Sequence, residues 1–211
     1  MNAFVISTDL AESRAIAMRC IASGQEHGVK VQRFPGFSPK DHPQDMFRAN
    51  GLDPKGFCDN PYSRIEPCMA TFLSHRALWQ RCVQEHDLML ILEHDAVFEN
   101  DLPVMPPTWR GCCTLGRPSF GAFKSPRAGL GPLTSKAYFP GAHAYLVHPA
   151  AAQALLDKST TEAEPTDIYL NLARFPWLTE WYPWPIKCDD TFSTIQKPLG
   201  CKAKHNEVRP I

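Results

Sequence analysis

The sequence predicts an α/β fold, a single domain with a mixed sheet and long loops rich in proline and glycine. Two observations lead to this expectation. The chain opens with a strand–helix–strand pattern, and a five-residue apolar run at 88–92 directly follows a second helical segment. A short apolar run between charged neighbours is typical of a strand buried on both faces. With 211 residues, 44% of them hydrophobic, the chain is long enough for one ordinary core.

The elements of the first half follow from hydrophobic periodicity. Residues 3–6 are a short apolar strand, residues 11–22 have helical spacing and are expected to stop at Gly24, and residues 29–34 alternate as a second strand does. Closely spaced Pro, Gly, Asn and Asp predict a long loop over 35–61 with one short helix at 45–49. A second helix is expected at 67–85, with Ser63 and Glu66 as a capping box before it.

The second half is dominated by a segment of unusual composition. Residues 102–136 contain six prolines and five glycines, and no acidic residue occurs from 102 to 156. A loop of this length indicates a lid or a binding loop. A strand at 142–147 and a helix at 150–156 follow, and the last residues resemble a surface tail. Five positive charges fall in the acid-free stretch: Arg110, Arg117, Lys124, Arg127 and Lys136.

Composition excludes several classes of protein. The 22 basic and 22 acidic side chains balance, which argues against a polyanion binder that relies on bulk charge. No segment has the roughly 18–20 apolar residues of a membrane helix, and no basic region precedes an apolar run at the N-terminus. The eight cysteines form no C-x-x-C pair, so we expect structural, reduced thiols in a cytoplasmic protein.

The strongest local signal for chemistry lies where the buried strand ends. Glu93 and Asp95 are two residues apart and point to the same side of an extended backbone, where they can hold one hard divalent cation. A strand end capped by solvated charges is the alternative. Ser74 and His75 are neighbours on a helix, about 100° apart, and do not form a nucleophile–base pair. Neither a P-loop nor a G-x-G-x-x-G motif is present.

Taken in order along the chain, these residues resemble glycosyltransferase family 25, which includes lipooligosaccharide and collagen hydroxylysine galactosyltransferases. The similarity extends from about residue 3 to residue 195. The elements that carry it are Val5-Ile6-Ser7 with Arg14; Ile65-Glu66-Pro67-Cys68, Ser74-His75 and Trp79; Ile-Leu-Glu-His-Asp-Ala at 91–96; Gly-Ala-His-Ala-Tyr-Leu at 141–146; Pro165-Thr166-Asp167; and Asp-Thr-Phe-Ser-Thr at 190–194.

The resemblance implies a GT-A-like, Rossmann-related domain that transfers a hexose, galactose or glucose, from a UDP-sugar with inversion. It implies Mn²⁺ or Mg²⁺ on Glu93, Asp95 and His94, with Asp167 as first choice of base and Asp190 as second. His94 replaces the family's middle acidic residue, and an imidazole suits manganese better. Donor contacts are expected from Ile6, Arg14, Ser74, His75, Glu93, His143, Tyr145 and Ser193.

The resemblance also implies a division of the domain. Residues 1–98 are expected to bind the nucleotide sugar, 99–140 to form the basic loop, 141–195 to hold the acceptor and the base, and 196–211 to form the tail. A saccharide of lipopolysaccharide type is the expected acceptor. A modified base in phage DNA or a protein hydroxyl is the alternative. For a DNA acceptor, the acid-free stretch would supply phosphate contacts. A non-catalytic module that binds nucleotide sugar or glycan is the hypothesis of another class.

Overall fold

The structure, a computed structural model, describes residues 1–58, 64–119, 121–189 and 192–195. Apart from one 3-10 turn, Pro39–Asp41, the regular elements in these residues are strands and α-helices. The strands are β1 (Asn2–Ser7), β2 (Val31–Pro35), β3 (Met89–Glu93), β4 (Ala96–Phe98), β5 (Cys112–Thr114), β6 (Gly129–Pro132), β7 (Ala144–Val147), β8 (Thr179–Tyr182) and β9 (Ile186–Cys188). The helices are α1 (Ala11–Glu26), α2 (Pro43–Ala49), α3 (Lys55–Cys58), α4 (Ile65–Glu85), α5 (Pro149–Ser159) and α6 (Thr166–Tyr169).

A seven-stranded mixed sheet organises the molecule, in the order β2-β1-β3-β7-β5-β8-β6. Strands β2, β1 and β3 are parallel, β7 is antiparallel to both β3 and β5, and β4 pairs with β9 in a separate ribbon. The predicted α/β class is therefore confirmed: this is a mixed sheet in a Rossmann-like domain.

The sheet has a hydrophobic core on each face. Alternate residues of β1 and β3 contribute to opposite cores: Phe4 and Ile91 to one, Val5 and Leu92 to the other. The first core contains the buried sides of α4 and α5, whereas the second contains that of α1 and the β4–β9 ribbon. Because β3 is buried on both faces, its sequence is a continuous apolar run, as predicted.

The first helix is longer than the sequence predicts. Gly24 does not end α1 but lies inside it, where the absent side chain lets the helix approach Val31 of β2. The chain turns away four residues later, at Gly28, which has a φ of +70°. Gly24 is therefore a packing glycine, and Gly28 is the glycine that the turn requires.

The predicted long loops contain regular structure. The short helix expected at 45–49 is present as α2, but α3 also forms in that segment. The basic segment contributes β5 and β6 to the main sheet, so it is not one long loop. Strand β5 lies between β7 and β8 and is too short for periodicity to detect. Ser63 of the expected capping box lies outside the described residues, and Arg64 is the residue before α4.

Across the described ranges, none of the helices has both the length and the apolar character needed to span a membrane. Cys20, Cys82, Cys112 and Cys113 are buried thiols. Burial raises the pKa values of Cys20, Cys82 and Cys113 to about 12, so these groups stay protonated at neutral pH.

Candidate active site

The sheet reverses its winding direction beside β1, which creates a crevice. The chain leaves β1 through α1 on one face to reach β2, and then crosses by α4 on the other face to reach β3, on the opposite side of β1. In open α/β sheets, ligands bind at such a point, outside the carboxyl ends of the strands. Ile6 and Glu93 are register partners at these ends.

A small cleft, partly open to solvent, lies at this position. The end of β1 and the end of β3 form its floor, α4 forms one wall, and the segment at 192–195 borders it. Its lining residues are Ile6, Ser7, Thr8, Phe37, Thr71, Ser74, Glu93, His94, Thr194 and Ile195. Four of the sequence-predicted site residues are among them: Ile6, Ser74, Glu93 and His94.

A buried chain of hydrogen bonds leads from the core to Glu93. His75 Nε2 lies 3.2 Å from Glu93 Oε1, and His75 Nδ1 lies 2.8 Å from the Tyr145 hydroxyl. That hydroxyl accepts a hydrogen bond of 2.9 Å from Trp79 Nε1. Glu93 is the member of this chain that lines the cleft. His75 and Tyr145 are fully buried, so the expectation that they contact the donor directly is corrected.

Burial also fixes the protonation of these groups. It lowers the pKa of His75 from 6.5 to about 3, while the negative charge of Asp167 acts in the opposite direction. Burial raises the pKa of Tyr145 well above its ordinary value of 10. His75 is therefore neutral and Tyr145 protonated at neutral pH. Asp167, half-buried on the short helix α6, is close enough for its charge to act on His75.

Glu93 and Asp95 do not form the expected pair of carboxylates on one side. The strand ends at Glu93, and the chain turns at His94 and Asp95 before β4 begins. Asp95 Oδ2 consequently accepts a hydrogen bond of 3.1 Å from Cys188 on β9, whereas Glu93 contacts α4 on the other face of the sheet. The alternation rule failed here because it holds only for an extended backbone.

His94 is held by the helix that follows β1. Its Nδ1 lies 3.0 Å from the hydroxyl of Ser13, and that hydroxyl accepts a hydrogen bond from the backbone N–H of Thr8. With Nδ1 engaged, only Nε2 of His94 is available to a ligand. In the described residues, no group of three or more His, Cys, Asp or Glu side chains is arranged to hold a metal ion.

The remaining predicted residues that the structure describes are not among those that line the cleft. His143 is buried directly opposite Glu93, whose backbone N–H donates to the His143 carbonyl. Arg14 is exposed on the first turns of α1, and the exposed Ser193 accepts a hydrogen bond from the backbone of Ile195. Asp190, the second choice of base, lies outside the described residues.

Ser74 connects the cleft wall to the loop after β2. Its hydroxyl accepts from the Phe37 backbone N–H at 2.8 Å and donates to the Ala70 carbonyl. Gly36 makes this approach feasible, because a Cβ there would lie 2.7 Å from Ile6 Cγ2. With one donor and one acceptor function already used, Ser74 shapes the cleft wall.

Several residues of the site were missed at the level of sequence. Arg33 of β2 donates to Ser7 Oγ at 2.7 Å and to Asp9 Oδ1 at 3.0 Å, and so ties the end of β1 to its neighbour. Thr8 and Thr71 line the cleft, and Cys188 reaches Asp95. The predicted strand–helix–strand pattern, which makes β1 and β2 parallel neighbours, could have indicated that Arg33 lies beside the end of β1. Cys188 comes from β9, a strand that periodicity did not predict.

The fold and the cleft together define a Rossmann-like α/β domain with a cleft at the carboxyl ends of β1 and β3. Comparison with known families then makes the assignment specific. A family model described as "Glycosyltransferase family 25 (LPS biosynthesis protein)" matches residues 1–105. The chain therefore belongs to glycosyltransferase family 25 through its N-terminal half, and it is a glycosyltransferase. No curated protein matches the chain.

The matched range contains the residues that line the cleft except Thr194 and Ile195. It includes β1, Arg14, the pair Ser74 and His75, and the end of β3. The later elements of the resemblance, His143, Asp167 and Asp190 among them, lie beyond residue 105, so their roles remain predictions.

Proposed function

We propose that this chain transfers a hexose, galactose or glucose, from a UDP-sugar to a hydroxyl group of a saccharide acceptor in lipopolysaccharide biosynthesis. The observation that carries the proposal is the family match over residues 1–105, which covers both strand ends of the switch-point cleft. The description of that family names lipopolysaccharide biosynthesis, which supports a saccharide acceptor.

The proposed reaction is a displacement with inversion at the anomeric carbon. The acceptor hydroxyl attacks that carbon and its proton passes to a carboxylate, while the bond to the diphosphate breaks and UDP leaves with the electron pair. Asp167 is our first choice of base, since its charge influences His75 beside Glu93. Asp190 is the second choice. Glu93, at the carboxyl edge, is proposed to accept hydrogen bonds from donor hydroxyls, and the exposed Arg14 to meet the diphosphate.

A divalent cation, Mn²⁺ or Mg²⁺, is part of the proposal, and Asp95 is the described residue that suits it. Asp95 is 8% exposed, and its Oδ1 is a buried oxygen that no hydrogen-bond donor of the described chain reaches. Carboxylate oxygens are the ligands that hard cations prefer. A cation bound there would neutralise negative charge on the leaving diphosphate. Glu93, bonded to His75, and His94, bonded to Ser13, suit this role less well.

The experiment that tests the proposal is UDP release from a panel of UDP-sugars without acceptor, in manganese, magnesium or EDTA. We expect slow hydrolysis of one donor, and loss of that hydrolysis in EDTA and in Asp95→Ala. The matched control is Asp101→Ala, which removes an exposed carboxylate beside His27, at the far end of α1 from the cleft. Full activity of Asp95→Ala would contradict the placement of the cation.

Asp167→Asn separates the transferase from a module that only binds. We expect this variant to bind UDP as the wild type does and to lose transfer by at least about a hundredfold. Asp157→Asn, on the exposed surface of α5, should transfer normally. Binding of a UDP-sugar by the wild type without any turnover would favour the non-catalytic module, and absence of UDP binding by calorimetry would overturn the donor site.

A further inference from the structure

The core contains a series of hydrogen-bonded polar side chains. Trp79, Tyr145 and His75 are each fully buried, yet their polar atoms are linked to one another and end on Glu93. Burying polar groups costs free energy even when they are paired, so three such groups beside one cleft residue call for a functional explanation.

The hydrogen bonds that link Trp79, Tyr145, His75 and Glu93 all donate in the same direction, from Trp79 toward Glu93. An indole N–H only donates, so the Tyr145 oxygen accepts from Trp79. An ionised Glu93 carboxylate only accepts, so His75 must present a proton on Nε2. A neutral imidazole has one proton, which leaves Nδ1 as the acceptor for the hydroxyl of Tyr145. Each donor then has its acceptor, and the proton of His75 is directed at the cleft.

We propose that His75 is a positioning residue, held in the Nε2-protonated form by Tyr145 and Trp79, that fixes the Glu93 carboxylate in the donor cleft. This inference rests on the proposed function and adds to it, because it assigns a role to three groups that touch no substrate. The contact of 3.2 Å between His75 Nε2 and Glu93 Oε1 holds the carboxylate at the cleft that Glu93 lines. Ser74 thus lines the cleft, whereas His75 and Trp79 support it from the core.

Two substitutions of His75 distinguish the loss of its hydrogen bond to Glu93 from the loss of side-chain volume. The amide nitrogen of glutamine in His75→Gln can occupy the place of Nε2 and donate to Glu93, whereas the shorter asparagine in His75→Asn cannot reach it. We expect His75→Asn to lower the turnover of the UDP-sugar by about ten- to a hundredfold, and His75→Gln to retain most of it. Melting temperatures of both variants show whether the fold is intact.

A double-variant cycle gives the decisive readout. If His75 acts through Glu93, the variant His75→Asn with Glu93→Gln is no slower than Glu93→Gln alone. If His75 has only a structural role, the losses of turnover caused by the two substitutions should multiply in the double variant. Tyr145→Phe should also slow turnover, and Tyr169→Phe is its matched control: Tyr169 is equally buried in the same core, but its hydroxyl bonds to the Leu155 carbonyl instead.

The proton position itself can be read by ¹⁵N NMR of the imidazole at pH 7. A proton on Nε2 and none on Nδ1 supports the proposal. A proton on Nδ1, multiplying effects in the cycle, or equal turnover in His75→Asn and wild type would each overturn it. Because the NMR experiment needs no turnover, a wild-type chain that neither hydrolyses nor binds a UDP-sugar would overturn the proposed function separately.

Discussion

At the scale of the single residue, the site depends on groups whose charge the fold determines. His75 is the clearest example: an exposed histidine titrates near 6.5, yet burial keeps this one neutral in the folded chain. The groups around it are the carboxylates of Glu93 and Asp167 and the hydroxyl of Tyr145. These partners cannot be read from the sequence, because they come from β3, α6 and β7, which are distant along the chain.

The neutral His75 predicts a specific loss of stability in acid. Its pKa is about 3 in the folded chain and 6.5 when exposed, so between these values the unfolded chain binds a proton that the folded chain does not. The free energy of unfolding therefore falls as the pH falls, by about 2 kcal/mol from pH 7 to pH 5. Urea unfolding of wild type and His75→Gln checks this: the difference between them should shrink by this amount, and parallel pH curves would contradict it.

Gly116 predicts a second effect at the residue scale. A Cβ at this position would lie 2.4 Å from His143 Nε2, in a region where His143 is 2% exposed and cannot retreat into solvent. We expect Gly116→Ala to lower the free energy of unfolding by about 1–3 kcal/mol and to weaken UDP binding, because His143 lies opposite Glu93.

Gly131 offers the control for this substitution. A Cβ there has no neighbour within 4 Å, so Gly131→Ala should change stability by no more than about 0.5 kcal/mol. Urea unfolding and calorimetry with UDP measure both effects. Equal stability of the two alanine variants would show that His143 is not confined by Gly116.

At the scale of the element, hydrophobic periodicity predicted the longer strands and helices. It missed the short strands that form only because the sheet pairs with them. The strands β1 and β3 and the helices α1 and α4 were expected, because each has enough residues to reveal its period. Strands β5 and β9 have three residues each and are strands only because neighbours pair with them. The same cause explains the site: Glu93 was predicted correctly as a strand end, whereas the turn that redirects Asp95 depends on pairing with β9.

Alanine at either of the two glycines near the end of α1 should destabilise the fold, but for different reasons. At Gly24 a Cβ would lie 2.7 Å from Val31 Cγ2 and 3.2 Å from Phe98 Cε2, so Gly24→Ala should push α1 off β2 by steric conflict. Alanine favours a helix by about 1 kcal/mol, yet we expect a net loss of about 1–3 kcal/mol.

At Gly28 there is open space, and the cost of alanine comes from the backbone. With a φ of +70°, Gly28→Ala should cost about 1 kcal/mol. The double variant Gly24→Ala, Val31→Ala distinguishes the causes, because removing Val31 Cγ2 should recover part of the Gly24 loss and none of the Gly28 loss. Urea unfolding is the measurement, and a stabilised Gly24→Ala would refute the packing role.

At the scale of the whole molecule, a net charge of zero conceals an uneven distribution. Residues 102–156 contain no carboxylate side chain, and four of their basic residues are exposed: Arg110, Arg117, Lys124 and Arg127. Solvated cations without nearby acidic partners in sequence attract anionic ligands, and salt screens this attraction. The exposed charge therefore predicts that an acceptor with phosphate groups is recognised through this segment.

This prediction is tested by the salt dependence of two Michaelis constants. Between 50 and 250 mM NaCl, we expect the KM of a phosphate-bearing oligosaccharide acceptor to rise by about tenfold, and the KM of its dephosphorylated form to stay nearly constant. Replacing Arg117, Lys124 and Arg127 with glutamine should flatten the response, whereas glutamine at Lys30 and Lys40, exposed outside this stretch, should leave it intact. Steep salt dependence with duplex DNA, and none with the oligosaccharide, would instead favour a nucleic-acid acceptor. A flat response with every anionic acceptor would show that the acid-free segment does not contact the acceptor at all.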